Sequence, residues 1–165
     1  AFLSPYPKNF PTSSYVDFND SASPSSEESN ALSPIIYVEV YGVRFVFTGD
    51  ATVKQEAVAM LNLKTNKAHY EYYDIDVNLS SVDFLKVAHH GSRESTTEEF
   101  LKIATPTYAV ISSGIKNQYS HPNLEVLSRL EDCDTEVHRT DLEGDITFHF
   151  YPEEINVSSE RLVVN

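Results

Sequence analysis

The stretch IIYVEVYGVRFVFTGDATVKQEAVAMLN, residues 35–62, changes its hydrophobic period partway along. Residues 35–41 and 43–48 read as two strands joined tightly at Gly42. Ile36, Val38 and Val40 share one face, and Tyr37, Glu39 and Tyr41 share the other. After Thr48-Gly49-Asp50 the spacing becomes helical, with Val53, Ala57 and Met60 or Leu61 in step. A chain that passes from paired strands straight into a helix needs a sheet with helices layered upon it.

The alternation continues. DFLKVAH (83–89) reads as a buried strand and TEEFLKIA (97–104) as a helix, with Ser95 and Glu98 at capping-box spacing. TYAVIS (107–112) reads as a strand, and Pro122 suits the first helical position of NLEVLSRL (123–130). TEVHRT and DITFHF read as strands flanking a hairpin turn at Gly144, with a last short strand near RLVVN. Residues 64–81 are polar and Tyr-rich and give no clear period. Residues 1–32 are irregular, apart from a short strand in FLSPYP ending at Pro5, and SASPSSEESN (21–30) is a Ser-rich acidic loop. The expected class is α/β, one domain over 1–165 with its core in 33–165, and no internal repeat.

At 165 residues and 41% hydrophobic, the chain can bury one core. Its formal net charge of -13 repels phosphate backbones and excludes a protein that coats nucleic acid. It does not exclude an enzyme that holds a phosphodiester through metal ions, because a bound cation inverts the local field. Cys133 is the only cysteine, so no intrachain disulfide and no CxxC zinc site can form. That fits a reducing compartment, and a cytoplasmic location is expected. No apolar run approaches the ~20 residues of a membrane helix.

Three stretches carry residues suited to chemistry. TGD brings Asp50 to the carboxyl end of a strand, the edge where layered α/β folds gather their sites; the alternative is that Asp50 caps the next helix. LKVAHHGS ends a strand in His89 and His90. Strand alternation puts His89 with Leu85 and Val87, and His90 with Lys86 and Ala88, unless the backbone turns at Gly91. A neutral imidazole at a strand end is a good metal ligand; the alternative is a core histidine with both nitrogens satisfied. SSGIKNQYSHPNLEVL (112–127) places His121 before a helix, where it can donate to a phosphoryl oxygen; the alternative is a helix cap, with Asn117 as a turn residue. Asp141 reads as structural, and His69, His138 and His149 receive no role.

Four stretches in order, NALSPIIYVEVYGVRFVFTGDA, DFLKVAHHGSRESTTEEFL, PTYAVISSGIKNQYSHPNLEVLSRL and VHRTDLEGDITF, resemble the metallo-β-lactamase fold superfamily. Within it they are similar to the hydrolase domain of ComEC-type DNA-internalisation competence proteins and its stand-alone relatives, over about residues 30–150. The resemblance implies an αββα sandwich, of which this chain is the C-terminal half: one mixed β-sheet with helices. It implies a site for two divalent ions, zinc or manganese, with Asp50 bridging them and His89 as a ligand, His90 being its neighbour or alternative. It implies His121 at the substrate oxygen, Ser92 and Asn117 as supporting polar groups, and Asn30 at a position where the family often shows Asn. The activity implied is phosphodiester hydrolysis, with nucleic acid as a possible substrate.

One departure is large. The superfamily's H-x-H-x-D-H motif precedes TGD in the family and is absent from this sequence. A catalytic zinc normally takes three protein ligands plus an open position, so Asp50 and His89 do not build two such sites. The chain starts at Ala1 and its only methionine is Met60. The expectation is a C-terminal part whose N-terminal metal-binding half lies elsewhere, in the same or a separate chain. The competing expectations are a degenerate interaction module and an esterase or lactonase on the same fold.

Overall fold

In the computed structural model, which describes residues 2–4, 25, 29–30, 32–65, 76–151 and 154–161, strand and helix alternate through most of the chain. The order is β1 (Phe2–Ser4), β2 (Ile35–Val40), β3 (Val43–Phe47), α1 (Val53–Thr65), β4 (Phe84–Lys86), a 3₁₀ turn (Ala88–Gly91), α2 (Glu98–Ala104), β5 (Tyr108–Ile111), α3 (Leu124–Glu131), β6 (Glu136–Arg139), α4 (Thr140–Glu143), β7 (Ile146–Tyr151) and β8 (Glu154–Ser159). β1 to β6 form a six-stranded sheet in sequence order, and β7 and β8 form a separate antiparallel pair. β1, β2 and β3 are antiparallel neighbours, whereas β3, β4, β5 and β6 run parallel. The α/β class is as the sequence suggested, with a mixed sheet.

The register sorts the side chains onto two faces. Tyr37, Val46, Leu85 and Ala109 lie in one row across β2 to β5. With Ile35, Val87 and Ile111 they meet Ala59 of α1, Phe100, Leu101 and Ala104 of α2, and Val126 and Leu130 of α3 in the buried core. The helices therefore cover this face. On the opposite face Val38, Phe45, Phe84 and Tyr108 form a row, and the β7–β8 hairpin packs on it. Phe150 meets Phe45 edge-on at 4.8 Å between ring centres, and Phe148 meets Phe84 at 5.1 Å and Tyr108 at 5.6 Å. The molecule is layered as helices, large sheet and small sheet. The hairpin covers only part of its face: Val38, Val40 and Phe47 remain 36%, 47% and 40% exposed.

Several local expectations are corrected. In α1 the buried residues are Gln55, Glu56, Ala59 and Asn62, while Val53, Ala57 and Leu61 are exposed. Polar groups line the inner face because each has a partner: Asn62, for example, donates to the Leu3 carbonyl at 3.0 Å. Thr97, not Ser95, caps α2, accepting from Phe100 N–H. α3 begins at Leu124 behind Asn123, so Pro122 sits one residue outside the cap. TDLE is not a hairpin turn. It forms α4, ended at Gly144 (φ 74°), and carries the chain from β6 across to the second layer. Among the described residues the last strand is β8; the strand expected near RLVVN falls on residues 162–165, which lie outside the described residues, as do most of the acidic loop and of the Tyr-rich segment.

Candidate functional site

Parallel strands β3 to β6 all end at one edge, so Asp50, the His89–His90 turn, Ser112, Ser113 and Thr140 gather there. Capping does not use Asp50. The start of α1 is closed by Thr52 and Gln55, whose Oε1 accepts from Thr52 N–H at 3.0 Å and from its hydroxyl at 2.7 Å. The Asp50 carboxylate is left facing the next strand's imidazoles.

Strand alternation does not decide which imidazole it meets. β4 ends at Lys86, and His89 and His90 both take left-handed backbone, with φ of 46° and 55°. This conformation is unfavourable for residues with a Cβ and persists where the surroundings over-determine it. His89 N–H is tied to the Gly49 carbonyl at 3.0 Å, which joins the turn to the TGD loop. Gly91 follows with φ 82° and a Cβ there would lie 2.5 Å from Pro122 Cβ, so only glycine fits the exit.

It is His90, the alternative of the pair, that reaches the carboxylate. Its Nε2 lies 3.4 Å from Asp50 Oδ1, both side chains being about half exposed. Its Nδ1 lies 2.6 Å from the Ser112 carbonyl. A carbonyl only accepts, so the ring hydrogen belongs on Nδ1, and in the neutral ring Nε2 presents a lone pair to Asp50. Two acceptors then face each other across a gap that a shared cation, or a proton, would stabilise. Two donor atoms placed tetrahedrally about one zinc-sized ion at ~2.1 Å would be separated by ~3.4 Å, so the spacing fits.

His89 turns the other way. Its Nε2 lies 3.3 Å from the Asn30 amide nitrogen, and its Nδ1 is buried without a hydrogen-bond partner. With this amide orientation Asn30 donates and the ring hydrogen sits on the unpartnered Nδ1. With the amide turned over, Nε2 donates to Asn30 and Nδ1 becomes a buried lone pair. The His89 ring centre is 5.7 Å from that of His121 and 6.5 Å from that of His90.

His121 stacks on Tyr119 at 5.7 Å, and Tyr119 is 67% exposed at the rim. Burial, then the neighbouring His89, His90 and Arg93, holds the His121 pKa below the usual imidazole range. It does not cap α3; Asn123 occupies that position and its Oδ1 accepts instead from Arg93 N–H at 2.9 Å. Asn117 closes the loop beneath His121, with Nδ2 donating to the Gly114 and His121 carbonyls and Oδ1 accepting from His121 N–H. Ser92 is buried, and its hydroxyl lies 3.4 Å from Glu94 N–H within its own turn. Both side chains are thus engaged in holding loops.

Among the described residues no three His, Cys, Asp or Glu side chains converge to hold a metal ion. Asp50 and His90 supply two donors, and a full shell requires more from elsewhere. Sequence reasoning assigned no role to Lys86. Its Nζ donates to the Val87 carbonyl at 2.7 Å, on the face it shares with Phe47 and Val110. Burial lowers its pKa while the Asp50 carboxylate acts against that. A single lysine inside the apolar run DFLKVAH was the available signal.

No protein-family model matches the chain. Over 127 residues it is 34% identical to ComE operon protein 3 of Bacillus subtilis. It is 29% identical over 132 residues to Recombination protein 2 of Haemophilus influenzae, and 31% identical over 121 residues to Competence protein ComA of Neisseria gonorrhoeae. These alignments take in 77%, 80% and 73% of this chain but only 15%, 15% and 16% of the relatives. The chain thus matches about a sixth of each longer protein. Among the described residues no helix is long and apolar enough to cross a membrane.

Proposed function

Starting from this relationship to ComEC-type competence proteins, we propose that the chain supplies one side of a two-cation site that hydrolyses phosphodiesters. The observation that carries the reading is the pair of converging acceptors, His90 Nε2 and Asp50 Oδ1, with the other ring nitrogen already fixed by Ser112. Asp50, His90 and, through its buried Nδ1, His89 would hold the ions. Bound divalent ions of the zinc or manganese type bring a water toward neutral pKa and clamp a phosphate.

The chain's own residues do the rest. The Ser112 carbonyl keeps His90 in the tautomer that leaves Nε2 free. Gly49, through its carbonyl, holds the imidazole turn against the TGD loop. His121, whose pKa burial and the neighbouring His89, His90 and Arg93 hold below the usual imidazole range, stands beside His89 where the N–H of its neutral ring can donate a hydrogen bond to a substrate oxygen. With a net charge of -13, substrate contact would run through the ions rather than along a basic groove.

The remaining donors would come from outside the chain. The half-exposed Val38, Val40 and Phe47 on the sheet face that the hairpin leaves uncovered support further chain packing there, completing the second layer of a sandwich. The absence of a three-donor cluster among the described residues favours the rival reading, an interaction module without catalysis. The two separate on one experiment: hydrolysis of bis(p-nitrophenyl) phosphate, with Mn²⁺ or Zn²⁺, by the longer protein that carries this segment. Activity that Asp50→Ala abolishes supports the hydrolase. Activity untouched by Asp50→Ala, or none with either ion, would rule it out.

A further inference from the structure

Glu56 is wholly buried in α1, yet its carboxylate is spent on a loop forty residues away. It accepts from Thr96 N–H, from Thr97 N–H at 2.9 Å and from the Thr97 hydroxyl at 2.7 Å. Three donors satisfy a charge that would be costly to bury alone. The loop passes the constraint onward. Thr96 Oγ1 accepts from Ala88 N–H at 3.2 Å, and Ser95 Oγ lies 3.0 Å from the Ala88 carbonyl and 2.9 Å from that of Ser92. Both backbone groups of the residue before His89 are therefore gripped by the segment that Glu56 holds.

Arg129 of α3 grips the same segment from the other side. Its Nη1 donates to the Ser95 and Thr96 carbonyls at 2.9 and 2.8 Å, and its Nη2 to the Arg93 carbonyl at 2.9 Å. Capping of α2 accounts for the Thr97 bonds alone; it gives no reason for Thr96 and Ser95 to close upon Ala88. Three residues in this stretch with side chains, His89, His90 and Thr96, have left-handed φ (46°, 55° and 51°), which is the conformation such a brace would have to enforce.

We infer that Glu56, with Arg129 opposite, is a positioning residue: through Thr96 and Ser95 it holds the His89–His90 turn in its left-handed form and so aims the His90 ring at Asp50. The consequence for catalysis rests on the two-cation reading proposed above; the positioning itself does not.

The test uses the ¹⁵N-labelled chain and Glu56→Gln, which keeps the volume but turns an NH₂ toward backbone donors. The readouts are hydrogen exchange at the His89 amide, long-range ¹H–¹⁵N spectra of the His90 ring, and the Mn²⁺ concentration that broadens that ring. In the folded variant His89 exchange should rise at least about tenfold relative to β7–β8 amides. The His90 Nδ1–H signature should weaken, and Mn²⁺ affinity should fall about 10- to 100-fold, as for other residues that orient ligands. A merely stabilising role would speed exchange throughout and leave the ring spectrum of the folded protein unchanged, which overturns the inference. If Glu56→Gln does not fold, Arg129→Lys, which keeps the charge and loses the fork, is read in the same way, and wild-type His89 and His90 signals in it overturn the inference equally. A wild-type chain whose His90 ring ignores Mn²⁺ counts against the two-cation reading, while the exchange data still decide the brace.

Discussion

His90 Nε2 lies 3.4 Å from Asp50 Oδ1 while His90 Nδ1 is committed to the Ser112 carbonyl. His89, by contrast, directs Nε2 to Asn30 and leaves Nδ1 buried. The two neighbouring imidazoles are therefore unequal. On the two-cation reading proposed above, His90→Ala in a protein that carries the complete site should lower metal-dependent phosphodiester hydrolysis by more than about 100-fold, beyond what loss of an outer partner costs. His89→Ala should lower it less. Activity assays with added Mn²⁺ rank them, and the reverse order would make His89 rather than His90 the principal ligand.

Gly91 leaves the imidazole turn at φ 82°, with the ring of Pro122 against it. Gly91→Ala adds a Cβ 2.5 Å from Pro122 Cβ and 3.0 Å from Pro122 Cα. Strain and overpacking together should destabilise the fold by at least about 2 kcal/mol. Urea unfolding measures it; a loss below half of that would mean the turn relaxes freely.

Leu85 sits in the middle of the helix-covered row, fully buried between Val46 and Ala109. Leu85→Ala should cost about 2–5 kcal/mol. Its neighbour Phe84, under the β7–β8 hairpin, is not fully buried, and its truncation should expose the hairpin to exchange before the helical layer. Hydrogen exchange of the two variants separates these effects.

The Asp141 carboxyl lies low despite burial, which acts to raise its pKa, because the Arg139 guanidinium holds it through a forked pair at 3.1 and 2.7 Å. Its folded pKa is below the ordinary 3.8, so the unfolded chain binds the proton more tightly. The stabilisation is complete above that ordinary value and is lost as pH falls through the lower folded value. Asp141→Asn should cost about 1 kcal/mol at pH 7, and the gap from wild type should close on acidification below about pH 4. A gap independent of pH would show that the carboxylate's charge is not what matters.

What the sequence disclosed was the alternation of strand and helix and the residues at strand ends, because TGD, HHGS and the two serines of VISSG each follow a short apolar run. Polar residues on the inner face of α1 were hidden. Glu56 and Asn62 satisfy partners distant in sequence, on the Thr96–Thr97 loop and on β1, and such long-range bonds leave no period; Gln55 is taken up instead by Thr52 at the start of its own helix. Alternation misjudged His89 and His90 because two consecutive left-handed residues break the two-residue repeat on which it depends. TDLE read as a hairpin because Gly144 does end an element, but the strands it separates belong to different sheets. Lys86 was visible as one lysine in an apolar run, without anything to show that the Asp50 carboxylate acts on its charge.

Addition of Mn²⁺ to the ¹⁵N-histidine-labelled chain, followed by ring signals, tests most directly whether Asp50 and His90 share a cation. His90 should broaden at lower Mn²⁺ than His69, His138 or His149, and Asp50→Ala should remove that preference. Broadening spread evenly over all six histidines, or a His90 preference unchanged in Asp50→Ala, would contradict the shared site.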